Sequence, residues 1–113
     1  MSADLIMDIQ SLTKKLNTAV LSLRKTGTEF AEAERDYKIL LRQEALKLRD
    51  GGMAVTLIDK TVYGIPEVAE ARMNRDIKEA LYSANKESIN VLKLQIRILD
   101  NQIAREWGNP PPM

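Results

Sequence analysis

The sequence predicts an all-α protein, a long antiparallel helical hairpin with coiled-coil character and a short connecting helix. Three observations carry that prediction. Ten positions of the first half, Leu5, Ile9, Leu12, Leu16, Ala19, Leu23, Thr26, Phe30, Ala33 and Tyr37, follow one another at alternating steps of four and three, the rhythm of a coiled-coil seam. Asp50-Gly51-Gly52 then interrupts the pattern, and a second segment of similar length opens at Pro66. The end of that segment carries two apolar stripes. Ile89, Leu92, Ile96, Leu99, Ile103 and Trp107 fall along one side of a helix, and Val91, Leu94 and Ile98 fall nearly opposite.

The first helix is expected from Asp4 to Arg49, with Ser2 or Asp4 as its cap, and is about 70 Å long at 1.5 Å per residue. After Tyr37 the rhythm slips to Leu41, Ala45 and Leu48, a stutter that locally unwinds a supercoil. Gly27 costs up to about 1 kcal/mol relative to Ala in a helix interior. Close helix approach, a slight bend and simple tolerance all account for it, and tolerance is preferred. The helix stops at Asp50-Gly51-Gly52, where Gly supplies a left-handed cap.

The connector, Met53 to Ile65, reads as a two-turn helix ended by Gly64, with a β-like run over Ala54 to Ile58 as the alternative. Thr56 followed by Asp59 resembles a capping box, and Val55, Ile58 and Val62 are spaced for one short apolar face. Pro66 suits the first position of the last helix, with Glu67 and Glu70 near its positive end. That helix runs to about Trp107 and is terminated by Gly108-Asn109. Residues 1–108 thus form one helical-hairpin domain, and 109–113 an extended Pro-rich tail.

Composition excludes more chemistry than it suggests. With 113 residues the chain is one domain by length, and 17 Lys plus Arg against 16 Asp plus Glu leave no global field to draw in nucleic acid or an anionic membrane. Cys and His are both absent, which removes disulfides, thiolate nucleophiles, Cys/His zinc sites and the side chain best suited to acid–base work near neutrality. No cofactor or metal is expected. The start of the chain lacks a signal-peptide pattern and no apolar run reaches membrane-spanning length, so a cytoplasmic protein without membrane contact is expected.

Glu29 with Glu32, and Glu67 with Glu70, each place two carboxylates on one helix face, as all-helical magnesium-dependent nucleotide pyrophosphohydrolases do. Those enzymes gather more acidic pairs on facing helices. Here a solvated face and dipole complementation explain the pairs, and a non-enzymatic protein is expected. Arg35, Lys38, Arg42 and Arg49, with Arg24, lie near one side of the first helix and could follow a phosphate backbone. Ion pairing with the last helix beside the seam is the preferred account, since charge is balanced overall and no aromatic residues interleave the stripe. A helix-turn-helix over Thr56 to Ile77 fits poorly, because Asp59 and Lys60 would have to pack inward.

A helix with apolar surface on opposing sides must be sandwiched. Val91, Leu94 and Ile98 therefore mark an expected interface, with Trp107, Tyr63 and Tyr82 as candidate aromatic anchors and a weaker echo at Leu21, Ile39 and Leu46. Either the connector covers this stripe within one chain, or two hairpins meet there as a four-helix bundle. A homo-oligomer with a protein partner is the preferred outcome, and nucleic acid the less favoured one.

The run Val55-Thr56-Leu57-Ile58-Asp59-Lys60-Thr61-Val62-Tyr63-Gly64, the charged helix after it and the ending Arg105-Glu106-Trp107-Gly108 resemble short helical proteins encoded by phages and prophages of Gram-positive bacteria. The resemblance covers about the second half of the chain and includes no catalytic motif. It implies a viral or prophage origin and a small accessory protein in the host cytoplasm or in particle assembly, near replication or recombination genes. Secreted helical hairpins with a Trp-x-Gly turn differ at their defining feature, because Trp107-Gly108 here closes the second helix.

Overall fold

The computed structural model describes residues 2–108, with side chains from Ala3 onward. The expected Pro-rich tail, residues 109–113, lies outside them. Helix α1 spans Ser2–Asp50, α2 spans Val55–Thr61, a 3₁₀ turn follows at Val62–Gly64, and α3 spans Pro66–Gly108. Among the described residues there is no strand. The architecture is the expected helical hairpin, and it packs as two units. One joins the chain up to Arg24 with the chain from Ser83 onward, and the other is Lys25–Tyr82.

The heptad positions of α1 are the ones that turn inward. All ten from Leu5 to Tyr37 are buried or half-buried, ending in the buried pair Ala33 and Tyr37. Past Tyr37 the helix continues without a break, but Leu40 with Leu41, and Glu44 with Ala45, are half-buried as adjacent pairs. The slip in spacing thus widens the covered face, as the stutter predicts.

The stop after α1 is a Schellman motif. Gly52 has φ +90°, its N–H donates to the Arg49 carbonyl at 3.0 Å, and the Met53 N–H reaches back to the Leu48 carbonyl at 3.1 Å. Two carbonyls left without partners by the end of the helix are satisfied, and only a residue without Cβ takes that φ without strain.

In the closed unit, Lys25–Tyr82, the connector is helical as expected, but its start is not the expected capping box. Helix α2 begins at Val55, one residue before Thr56, and Ala54, the cap, is extended and provides no side-chain hydrogen bond. With Thr56 inside the first turn, its hydroxyl cannot occupy the cap position. The apolar face also differs. Ile58 and Val62 are buried, whereas Val55 is exposed, because the first residue of the helix faces away from α1 and α3. The N-terminus of α3 is as expected. Pro66 is its first residue, and the Ala69 N–H closes the first turn on the Ile65 carbonyl at 2.9 Å.

Helix α3 has an inward heptad longer than its apolar residues announce. Val68, Ala71, Arg75, Lys78, Tyr82, Asn85, Ile89, Leu92, Ile96, Leu99 and Ile103 are all buried or half-buried, at unbroken steps of three and four. Arg75, Lys78 and Asn85 hide the first half of this seam from a hydrophobicity count. The residue numbers at the contacts show that the helices run antiparallel within each unit. In the closed unit Gly27 lies against Tyr82, Glu29 meets Lys78, and Tyr37 lies under Arg75. In the other unit the Asn85 side-chain amide donates to the Ala19 carbonyl at 3.0 Å, and Leu12 and Leu99 line one groove.

Gly27 is not merely tolerated. A Cβ placed there would stand 3.1 Å from Cε1 of Tyr82, whose ring also stacks at 6.0 Å, tilted, on Phe30. Close approach is therefore the explanation: Gly27 makes the space in which an aromatic ring sits in a two-helix seam.

Candidate interaction surface

The face of α3 turned away from its seam remains uncovered. Val91, Leu94 and Ile98 are 45%, 52% and 54% exposed. Among the described residues, no segment lies over them. The shallow groove beside Ile98, lined by Asp8, Leu12, Lys15 and Leu99 among others, opens to solvent. Trp107 is 67% exposed, so it does not continue the buried seam of Ile89, Leu92, Ile96, Leu99 and Ile103 with which its spacing aligned it. The last turn of α3 reaches past the seam's covered length. The echo on α1 is also exposed, at Leu21, Ile39 and Leu46.

Further exposed apolar residues were not anticipated as a surface. Met73, Ile77 and Leu81 stand out from α3; Tyr63, one of the expected aromatic anchors, is exposed on the 3₁₀ turn. A groove in the closed unit is lined by Tyr63, Ala69, Arg72, Met73, Asp76 and Ile77. The Arg72 guanidinium lies over the Tyr63 ring, 5.7 Å from its centre, and gives that edge a charged rim. The signal that finds Met73 and Ile77 in the sequence is that each lies two residues from the seam position Arg75, about 200° around the helix and so on its far side.

Of the cations on α1, Arg35 is paired with its neighbour Asp36 at 3.1 Å and Lys38 with Glu34 at 3.4 Å. These are local pairs on one helix, not the expected bridges to α3. Arg42 and Arg49 are exposed. The bridge between helices comes instead from Glu29, which accepts from Lys78 at 3.4 Å and lies 4.0 Å from Lys25. Both partners of the Glu29–Lys78 pair are half-buried. Glu29 is thus an ion-pair residue of the seam, while Glu32 is exposed on the outside. Among the described residues no three acidic side chains gather in a form that could hold a metal ion.

Arg75 combines a ring contact with a doubly hydrogen-bonded ion pair. Its guanidinium stacks over the buried Tyr37 ring at 4.7 Å and donates twice to Asp76, at 3.0 and 2.7 Å. The hydrogen bond to Asp76, with the field of that carboxylate, raises its pKa above the ordinary arginine value. A permanently charged, planar group can satisfy itself at a seam position in this way, where lysine would lack the stacking plane.

Among the described residues, no helix is long and apolar enough to cross a membrane. No family model matches the sequence, and no curated protein or solved structure matches it either.

Proposed function

We propose that the protein is a non-enzymatic helical adaptor or assembly factor, of the kind phages encode as accessory proteins, which acts in the cytoplasm through protein–protein contact and self-associates through α3. The observation that carries this proposal is the solvent-exposed stripe of Val91, Leu94 and Ile98 on a helix whose opposite side is already engaged with α1. The internal core supports it. Among the described residues, the buried hydrophobic side chains are Ala33, Tyr37, Ile58, Val62, Val68 and Ile89, and Val68 is the largest that is fully enclosed. Two helices in contact along one seam cover at most one stripe of each, so a second chain on the other stripe would add burial that this seam does not supply.

Light scattering tests the proposal. The wild-type chain is expected to run as a dimer or larger assembly. Leu94→Lys combined with Ile98→Lys is expected to run as a monomer with largely unchanged helicity by circular dichroism, because neither residue belongs to the intrachain seam. An unchanged mass for the double variant would overturn the interface.

A further inference from the structure

Within the unit Lys25–Tyr82, each long helix carries a second heptad on the side away from the seam. On α1 it runs Glu32, Arg35, Ile39, Arg42, Leu46 and Arg49, at steps of three and four, and all six are exposed. On α3 it runs Glu70, Met73, Ile77 and Ala80, exposed as well. The two faces differ in charge. Arg35, Arg42 and Arg49 lie in the α1 stripe with Lys38 beside it, whereas the α3 stripe holds Glu70, with Glu67 and Asp76 along its edges. Among the described residues, neither Arg42 nor Glu70 takes part in an ion pair.

We propose that this α1 face of one copy receives the α3 face of a second copy, antiparallel, with Arg42 against the second copy's Glu70. The contact rests on the self-association proposed above and adds a second surface to it. In that register Ile39 faces the second copy's Met73, Arg35 its Ile77, Glu32 its Ala80 and Leu46 its Pro66, over about 21 Å of helix. At the flanks Lys38 falls opposite the second copy's Asp76, and Gln43 opposite its Glu67. No two like charges face each other. Lys38 is paired with Glu34 and Asp76 with Arg75 on their own helices, so these pairs join into a network at the contact.

Charge selects both the direction and the register. Arg35, Arg42 and Arg49 hold one of the two core positions of the heptad, and Glu70 holds the other. A parallel pair matches like positions and brings none of the three against Glu70, whereas an antiparallel pair matches unlike ones. Sliding the antiparallel pair by one heptad in either direction sets Asp36 or Asp50 against the second copy's Glu67. Pairing α3 with α3 through Met73 and Ile77 sets Asp76 against Asp76, and pairing α1 with α1 sets the cationic stripe against itself. Because the two faces lie on opposite sides of the seam, a copy that gives its α1 face to one neighbour keeps its α3 face for another. The contact is therefore heterologous and does not close at two copies. Its apolar part is small, so it forms between chains that Val91, Leu94 and Ile98 already hold together, where the effective concentration is high.

The absence of Cys makes the contact directly measurable. Ile39→Cys and Met73→Cys are prepared as separate full-length proteins and treated with a short bis-maleimide, alone and mixed. Covalent dimer is expected in the mixture and almost none in either protein alone. Cross-linking of Met73→Cys alone would overturn the proposal in favour of an α3–α3 pair. An absence of cross-links in the mixture, while light scattering still shows an assembly, would overturn this contact and leave the interface at Val91, Leu94 and Ile98 standing. A wild-type monomer by light scattering would overturn both. Charge reversal gives an independent check. Arg42→Glu or Glu70→Arg alone is expected to weaken growth beyond the dimer about tenfold, and the two in one chain to restore it. Additive weakening in the double variant would overturn the register.

Discussion

At the scale of single residues, the most instructive position is Gly27. Its helix propensity is poor, so replacement by Ala should gain up to about 1 kcal/mol in an isolated helix. In this protein the new methyl group would press on the Tyr82 ring, which itself is stacked on Phe30. The expected outcome is that Gly27→Ala fails to stabilise the wild-type chain but recovers the propensity gain in a Tyr82→Ala background. A double-mutant cycle in urea measures that coupling. Equal effects in the two backgrounds would mean the ring is not what the glycine accommodates. The polar seam residues follow the same logic of local satisfaction. Arg75 is stacked and doubly hydrogen-bonded, Lys78 is paired with Glu29, and Asn85 donates to a backbone carbonyl. Each is half-buried with a partner, the condition under which a polar group at a seam costs little.

At the scale of elements, the two ends of the connector are controlled by different means. The exit from α1 depends on backbone geometry at Gly52, whose positive φ an L side chain adopts at a cost of about 1–2 kcal/mol. Gly52→Ala is expected to lower stability by that amount. Gly51→Ala is expected to change it by less than about 0.5 kcal/mol, since Gly51 has no such φ and a Cβ there meets only carbonyl oxygens at 3.4 Å or beyond. Chemical denaturation of the two variants side by side checks the assignment of Gly52 as the left-handed residue. The entry to α2 has no comparable device. Ala54 offers no side-chain acceptor, and the short helix is held by burying Ile58 and Val62. Tertiary packing has taken over from local capping there, as it does in most short helices.

At the scale of the whole molecule, folding and assembly are expected to be coupled. A hairpin with a thin internal core gains stability from any contact made only by its folded form, and that gain grows with concentration. The melting temperature of the wild-type chain should therefore rise as protein concentration is increased, while that of the Leu94→Lys, Ile98→Lys variant should not. A concentration-independent melting temperature in the wild type would mean that the second stripe contributes nothing to stability.

The sequence by itself determined the helices, their ends at Asp50-Gly51-Gly52 and Pro66, the seam positions of α1 as far as Tyr37, and the presence of a second apolar stripe on α3. Those features are legible because helical periodicity and left-handed glycine are local properties, readable over a few residues. Only the tertiary structure decided the rest. It placed Arg75, Lys78 and Asn85 on the inside, because a partner across the seam, not hydrophobicity, is what admits a polar side chain there. It turned Gly27 from a weak point into a seat for Tyr82, and it set Trp107 outside the seam. Periodicity can say which residues share a face. Which face is covered, and by what, depends on groups as far apart in the chain as Glu29 and Lys78, and no local pattern records that distance.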